Sequence, residues 1–260
     1  MLLAVKLVLT PSVVVLSTLI GRRFGRIASG WIVGLPLTSG PIAAFFAVQH
    51  GRLFAARAGV GSLGGAIAEV AFCIAYAATA RRAGWRSAVL VASVAFAVAA
   101  AVLHALDVQP RAVEVVPLGA CAAVALLAGL RLVPHVPPRL DAEQVLPSRW
   151  DIPARAVVAT VFLLLLTGLA TVLGPQLAGV LAVYPLYTVV LAIFAHRHEG
   201  EHGAVQVLRG LLFGLYSFVA FYVVLPIALR HLGIAPAFVV AYAASFAVQA
   251  ASMLALLSRR

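Results

Sequence analysis

The chain alternates between long apolar stretches and short breaks that are polar or contain glycine and proline. A bilayer core about 30 Å thick requires about 20 consecutive apolar residues of helix. Such stretches predict nine transmembrane helices, at 2–20, 27–48, 58–80, 87–106, 113–133, 156–173, 177–195, 211–230 and 234–257. The longest polar interruption, 134–155, contains five prolines and predicts a loop between two halves of the chain.

The composition excludes a soluble protein. Hydrophobic residues make up 63% of the 260 residues and charged residues only 10%, whereas soluble domains carry about 25% charged residues. The net charge of +11 would indicate nucleic acid binding in a soluble protein, but in a membrane protein it indicates anchoring of cytoplasmic loops. We therefore expect the lipid bilayer, and no nucleic acid, as a partner.

The positive charges are distributed unequally between the predicted loops. The 19 Lys and Arg residues divide fourteen to five between the two sides of the predicted helices, and cytoplasmic loops carry the larger share in membrane proteins. We expect a multi-pass protein of a bacterial-type inner membrane, with its N-terminus outside and its C-terminus in the cytoplasm.

An internal repeat relates the two halves of the chain at a constant offset of 149 residues. The coincident pairs are Gly25 and Gly174, Gly30 and Gly179, Pro36 and Pro185, Leu37 and Leu186, Phe45 and Phe194, Gly51 and Gly200, Gly61 and Gly210, Gly65 and Gly214, Phe72 and Phe221, and Gly84 and Gly233. Helices 1–4 then correspond to helices 6–9. The unpaired helix 5 delivers the second repeat to the opposite side of the membrane, so the two repeats are expected to be inverted.

These patterns predict an all-α integral membrane protein of nine transmembrane helices, with two inverted four-helix repeats joined by helix 5. The first repeat is expected at 1–111, the linking helix at 112–133, a cytoplasmic loop at 134–155 and the second repeat at 156–260. Inverted repeats are common in secondary transporters, because two such halves can exchange conformations. A duplicated membrane protein without a transport role is the alternative.

The second helix of each repeat is interrupted at the same place. The interruptions are GLPLTSGP, from Gly34 to Pro41, and VYPLYT, around Pro185. Proline breaks or kinks a helix, and paired interruptions in the two halves indicate a transporter binding site. The predicted substrate-binding residues are Gly34, Pro36, Thr38, Ser39, Tyr184, Pro185, Tyr187 and Thr188. A kink that serves packing alone is the alternative.

Glu69 lies near the middle of the predicted span 58–80. A charged side chain at the bilayer centre costs at least about 2.5 kcal/mol, so it is expected to face a cavity or a partner. Glu69 is therefore the predicted proton-coupling residue. A protonated glutamic acid that hydrogen-bonds between helices is the alternative.

The predicted loop 196–209 begins HRHEGEHG, with three histidines and two glutamates. Such side chains suit divalent metals, but their spacing matches no compact zinc motif, so a solvated cytoplasmic loop is expected and no metal site. The chain contains no phosphate loop, no G-x-S-x-G and no H-E-x-x-H. We therefore expect no enzymatic activity and no cofactor.

Two stretches of the second half, LAGVLAVYPLYTVVLAIFAH and LRGLLFG, lie between Gly174 and Leu229, and ASGWIVGLPLTSGPIAAFFAVQHG carries a looser version in the first half. These stretches resemble the GlpM family of small bacterial inner-membrane proteins. The resemblance implies a four-span unit, here duplicated within one chain with an added helix, and a link to the production of alginate, an exopolysaccharide. The arrangement is also similar to drug/metabolite-type transporters, at the level of architecture only.

Two functions from different classes follow. The first is a proton-coupled secondary transporter for a small or amphipathic solute, with its site between the two proline-broken helices. The second is a non-transporting scaffold or accessory protein in envelope polysaccharide assembly. Besides the bilayer, the expected partners are a small solute and either a second copy of the chain or an envelope-assembly protein.

Overall fold

The computed structural model describes residues 2–37, 39–105, 115–136, 152–161, 164–165 and 184–257. Within these ranges the chain forms helices and no strand, which confirms the predicted all-α fold. The helices are α1 (Leu2–Phe24), α2 (Arg26–Val33), α3 (Ser39–His50), α4 (Arg52–Ala80), α5 (Trp85–Ala105), α6 (Val115–Leu132), α7 (Ile152–Val161), α8 (Leu186–His231) and α9 (Ile234–Leu257). Among the described helices, five are long and apolar enough to cross a membrane: α4, α5, α6, α8 and α9.

Helix boundaries follow the apolar stretches closely where those stretches are uninterrupted. Helices α5, α6 and α9 begin and end within two residues of the predicted spans. Helix α4 begins at Arg52, six residues before the predicted span, because its first turns carry the exposed Arg52 and Arg57 beyond the apolar stretch. Predicted span 27–48 is divided into α2 and α3, with the interruption at 34–38.

The predicted solvated loop at 196–209 is wrong. Helix α8 continues through it with one bend, at Gly200 (φ 71, ψ −161), and residues 203–210 are buried. The polar side chains are tolerated because they find partners on α6 and just beyond it. Gln206 donates to the Val136 carbonyl at 3.4 Å, and the Arg209 guanidinium donates to the carbonyls of Leu130, at 3.0 Å, and Val133.

The part of α8 that follows Gly200 lies at the centre of the bundle and packs against α2, α4, α6 and α9. Its interior side chains include Leu208 and Phe221, which meet Leu63 and Phe72 of α4 in one hydrophobic core. The outward faces of α5, α6 and α9 are apolar, with Val94, Val124 and Val239 exposed. Such faces suit contact with lipid tails, because a bilayer imposes no penalty on them.

Helix α2 crosses α8 at four glycines. A Cβ on Gly30 would collide with the backbone at Val207, and one on Gly34 with the backbone of Gly214. A Cβ on Gly210 would collide with the Ile27 carbonyl, and one on Gly214 with that of Trp31. Each helix thus contributes a pair of glycines four residues apart, the spacing that lets membrane helices approach most closely.

The two ends of the bundle differ in their contacts. At one end, here called the bend end, Gly200 lies beside the start of α2 and the end of α4: Arg26 pairs with Glu199, and the Tyr76 hydroxyl lies 3.2 Å from Nδ1 of His196. At the other end, here called the far end, Arg52 donates to the Leu232 carbonyl at 3.1 Å.

Candidate functional site

The first interruption, here called the Pro36 break, comprises residues 34–38 between α2 and α3. Thr38 lies outside the described residues. Pro36 is buried, and its carbonyl accepts a hydrogen bond from the Gly40 amide at 3.0 Å. The Leu37 amide donates to the Leu35 carbonyl at 2.7 Å. The backbone groups released by the broken helix are therefore partly satisfied within the break itself.

The Pro36 break is packed tightly against α8 and α9. Gly34 meets the backbone of Gly214, and Gly40 lies so close to the Tyr242 hydroxyl that a Cβ there would collide with it. Ser39, the first residue of α3, lies near the hydroxyl of Tyr222 on α8. The break therefore faces packed protein on the side of α8 and α9.

The second interruption, here called the Pro185 break, precedes α8. Pro185 is the residue before the first turn, and its carbonyl accepts from the Val189 amide at 2.9 Å. Pro185 and Thr188 are buried. Tyr184 and Tyr187 diverge: Tyr184 packs against α4 and α5, whereas Tyr187 packs against Val14 and Ala159 of α1 and α7. The predicted site residues of this break therefore face two different surfaces.

Tyr184 is held in an aromatic cluster. Its hydroxyl lies 2.7 Å from Oγ of Ser93. Its ring stands edge-on to Phe96, at 5.5 Å between centroids and 84°, and to Phe72, at 6.3 Å and 85°. Edge-to-face geometry is the favoured arrangement of aromatic pairs, so the cluster packs well without a ligand.

Glu69 lies on α4 one turn before Phe72 and is partly exposed. Glu69, Phe72, Cys73 and Tyr76 have the spacing i, i+3, i+4 and i+7, which places them on one helical face; we call this face the Glu69 stripe. Phe72, Cys73 and Tyr76 are fully buried. Within the part of the chain that the structure describes, the Glu69 carboxylate forms no hydrogen bond or ion pair, and Cys73 lies one turn further along the same face of α4.

The surroundings of the two breaks reach α4 on either side of Glu69. Ser62 of α4 and Ser39, which directly follows the Pro36 break, both lie near Tyr222, and Phe72 contacts Tyr184 of the Pro185 break. Ser62 and Phe72 are ten residues apart, about 15 Å along a helix, and Glu69 lies between them. Helix α4 thus links Glu69 to both predicted interruptions.

Sequence analysis did not identify the side chains against which the two breaks pack. They are Ser62, Ser93, Phe96, Tyr222 and Tyr242. One signal was available, because Ser93 and Tyr242 are 149 residues apart, in the register of the repeat. The two positions are equivalent in the repeat: Ser93 on α5 contacts Tyr184 of the Pro185 break, and Tyr242 on α9 contacts Gly40 just after the Pro36 break.

Two surface depressions lie at the ends of the bundle, away from Glu69. One of about 330 Å³ lies at the bend end, beside Ala78, Arg81 and Arg82. One of about 370 Å³ lies at the far end, beside His50, Arg52 and Arg230. Among the described side chains, no three His, Cys, Asp or Glu converge as a metal site, the histidines of 196–202 included.

Comparisons with protein-family models, with curated proteins and with solved structures found no match to this chain. The resemblance to the GlpM family therefore stays a prediction. Any function has to be argued from the arrangement of the residues themselves.

Proposed function

We propose that this chain is a secondary transporter that moves a small or amphipathic solute past Glu69, seen here with its pathway closed. The proposal is carried by Glu69, which has no hydrogen-bond or ion-pair partner among the described residues and lies on α4 between the contacts of two helix breaks. An ionisable group inside an apolar bundle is costly and marks a functional site by default. Paired broken helices in the two halves of a chain are a common setting of transporter sites.

The orientation in the membrane follows from the charges at the two ends. The bend end carries most of the described arginines: Arg22, Arg23, Arg26, Arg81, Arg82, Arg86, Arg131, Arg155, Arg197 and Arg209. The far end carries Arg52, Arg57 and Arg230. The positive-inside rule therefore supports a bacterial-type inner-membrane protein with the bend end in the cytoplasm.

The inverted repeat is supported by features that recur at the offset of 149 residues. Gly51 and Gly200 both have positive φ, 85° and 71°, and each joins a short helical segment to a long one. Gly84 and Gly233 both accept at 3.1 Å from an amide in the first turn of the following helix. The contacts are reciprocal as well, since the Pro36 break packs on α8 and α9 and the Pro185 break packs on α4 and α5.

The ion pair between Arg26 and Glu199 closes the bend end. Arg26 follows Gly25 (φ 92) and Glu199 precedes Gly200 (φ 71), so each partner is next to a glycine in a conformation that other residues rarely adopt. At the far end, the described residues include an exposed hydrogen bond from Arg52 to the Leu232 carbonyl. A charge-assisted pair is stronger than a bond to a neutral carbonyl, so the cytoplasmic side is the more firmly closed side.

Proton movement in proteoliposomes tests this function. The full-length protein is reconstituted with a pH-sensitive dye inside the vesicles, and small amphipathic cations, anions and neutral solutes are added in turn. We expect at least one solute to move protons with the wild type and none to do so with Glu69→Gln. The matched control is Glu201→Gln, which removes a carboxylate at the bend end. Retention of solute-dependent proton movement by Glu69→Gln would remove Glu69 from the mechanism.

The second candidate is a non-transporting scaffold in envelope polysaccharide assembly. It is favoured by the Pro36 break, where Gly34 and Gly40 leave no space against α8 and α9. A scaffold predicts that proteoliposomes behave like protein-free vesicles with every solute. That result would overturn the transport proposal.

A further inference from the structure

We propose that the turn between α4 and α5 binds the phosphate headgroup of an anionic phospholipid, with an acyl chain of that lipid lying along α5. The headgroup site, here called the α4–α5 corner, comprises Ala78, Arg81, Arg82, Trp85 and Arg86. This inference goes beyond the proposed transport function and does not depend on it.

A hydrogen-bonded turn holds the corner at the bend end. Helix α4 ends at Ala80 and α5 begins at Trp85. The amides of Arg82 and Ala83 both donate to the Thr79 carbonyl at 2.9 Å. The turn is therefore fixed to the end of α4, while the side chains of its arginines are exposed.

The three arginines of the corner have no counter-charge among the described residues. Their guanidinium groups form no ion pair or hydrogen bond within the described ranges. At the same end, the Glu199 carboxylate is paired with Arg26, and that of Glu201 lies 3.8 Å from His202. The buried Arg209 of α8 differs, because carbonyls at the end of α6 accept its hydrogen bonds. The corner therefore offers positive charge to a ligand from outside the described part of the chain.

The corner has space for a phosphate group. A depression of about 330 Å³ lies beside Ala78, Arg81 and Arg82. The planar guanidinium presents a fork of N–H donors that matches the oxygens of a phosphate. Basic pockets between membrane helices are a known setting for anionic lipid headgroups. An anionic phosphate diester thus suits both the charge and the shape of the corner.

Trp85 indicates the depth of the corner in the membrane. Its ring is partly buried, and the guanidinium carbon of Arg86 lies 5.4 Å from the centre of that ring. Tryptophan is enriched at the level of the lipid headgroups. The arginines therefore lie at the depth at which a phospholipid carries its phosphate.

An exposed apolar strip continues from the corner along α5. Arg86, Leu90, Val94 and Val98 follow one another at intervals of four residues, which places them on one helical face, and all four are exposed. From Arg86 to Val98 the strip extends about 18 Å along the helix, compared with about 15 Å for half of a bilayer core. A soluble phosphate compound would use the corner alone, whereas a phospholipid uses both the corner and the strip.

Native mass spectrometry of the full-length protein tests the site. Delipidated protein in detergent micelles is mixed with dioleoylphosphatidylglycerol or dioleoylphosphatidylcholine, which carry the same acyl chains, and the lipid retained after removal of the micelle is measured. We expect the wild type to retain phosphatidylglycerol in preference. Each arginine near a membrane surface strengthens the binding of anionic lipid by about fivefold. The corner triple variant, Arg81→Gln with Arg82→Gln and Arg86→Gln, should therefore bind phosphatidylglycerol at least about tenfold more weakly.

A second triple variant is the matched control. Arg23→Gln with Arg131→Gln and Arg197→Gln removes the same charge from exposed positions of the bend end that do not line the depression. It should bind phosphatidylglycerol as the wild type does. All variants are first checked for a wild-type elution volume and helical circular dichroism, and if the corner triple variant fails this check, Arg82→Gln and Arg86→Gln are measured singly. Equal losses of affinity in corner and control variants, or unchanged affinity in the corner variants, would overturn the site.

Two further comparisons identify the ligand as an anionic lipid. Glycerol 3-phosphate in large excess carries the phosphate without acyl chains, and we expect it to leave phosphatidylglycerol bound to the wild type. Displacement would show that the corner takes a soluble phosphate compound instead of a lipid. Equal retention of the two lipids by the wild type would show that the acyl chains bind without recognition of charge.

Discussion

The two helix breaks are similar in sequence position but different in how they are packed. The Pro36 break is held by direct backbone contact, with Gly34 against Gly214 and Gly40 against the Tyr242 hydroxyl. The Pro185 break is held by backbone hydrogen bonds to the first turn of α8 and by the side chain of Tyr184, which contacts the Ser93 hydroxyl and the rings of Phe72 and Phe96. Backbone contact leaves no room for adjustment, whereas an aromatic side chain outside a helix can rotate away.

This difference assigns separate roles to the two halves. The Pro36 break is the fixed part of the site, because any movement there would disturb the crossing of α2 with α8. The Pro185 break is the adaptable part, and it lies next to Phe72 of the Glu69 stripe. If the two halves are repeats, as proposed above, the function would be asymmetric, because Glu69 in the first half corresponds to Phe218 in the second.

The largest expected effect is that of filling the glycine crossing. Gly210→Ala places a Cβ against the Ile27 carbonyl, whereas Gly61→Ala places one where no atom lies within 4 Å. Overpacking costs about 1–3 kcal/mol and more where backbone must move, so Gly210→Ala should lower the free energy of unfolding by about 2 kcal/mol or more. Gly61→Ala should raise it by about 0.5–1 kcal/mol, because alanine favours a helix. Unfolding in sodium dodecyl sulfate measures both, and equal effects would contradict the close crossing.

The second-largest expected effect is a gain of stability together with a loss of function, caused by replacing Glu69 on α4, near the Pro185 break. Glu69→Met replaces a carboxylate that has no partner among the described residues by an apolar side chain of similar length. Burying a polar group without a hydrogen bond costs about 1–3 kcal/mol, so the variant should be more stable by about that amount and should not move protons in the proteoliposome assay. Thermal unfolding and the proteoliposome assay give the two results. A destabilised Glu69→Met would show that the carboxylate has a structural partner.

The third-largest expected effect comes from breaking the ion pair between Arg26, at the start of α2, and Glu199, beside the bend of α8. Arg26 and Glu199 are partly exposed, at 19% and 36%, and pairs of this kind contribute up to about 1 kcal/mol. We expect a coupling energy of that size from the double-mutant cycle of Arg26→Ala and Glu199→Ala. Arg52→Ala at the far end, which removes one exposed hydrogen bond, should change the free energy of unfolding by less than about 0.5 kcal/mol. A coupling energy of zero would show that this ion pair does not hold the bend end closed.

The smallest effect compares the serines that face the two breaks. Ser93→Ala removes the hydroxyl beside Tyr184 and Ser62→Ala the one beside Tyr222. Each should cost about 0.5–1.5 kcal/mol, the value of a typical hydrogen bond. Only Ser93→Ala should change the rate of solute-dependent proton movement in proteoliposomes, because it releases the Tyr184 hydroxyl. Equal changes of rate in both variants would contradict the distinction between a fixed and an adaptable break.

The fold was predictable where one physical rule dominates. Apolar length alone located α5, α6 and α9, because a bilayer requires helices of that length. Glycine and proline located the break at 34–38, since neither residue suits a helix interior. The segment 196–209 was predicted to be a solvated loop because it contains charged and polar side chains. In the structure, Arg209 and Gln206 instead donate hydrogen bonds to carbonyls at the end of α6 and just beyond it.

The candidate site was predictable only in part. Pro36, Pro185 and Glu69 were identified from local pattern, and their place in the mechanism stays a prediction. The contacts around these residues could not be predicted from local sequence, because they join residues far apart in the chain: Tyr184 is 91 residues from Ser93, and Gly34 is 180 residues from Gly214. The sequence pattern also assigned Tyr184 and Tyr187 to the same binding site, although the two rings pack against different helices.

The central claim, that the Glu69 stripe opens to water, can be tested directly at Cys73. This thiol is fully buried on the stripe, whereas Cys121 is exposed on α6, on the face we expect to contact lipid. Cys121→Ser protein in sealed vesicles is treated with a trimethylammonium methanethiosulfonate, and the added mass is followed over time. We expect Cys73 to be modified, because an open state of the pathway exposes the stripe to water. Labelling no faster than in protein that also carries Cys73→Ser would contradict the claim.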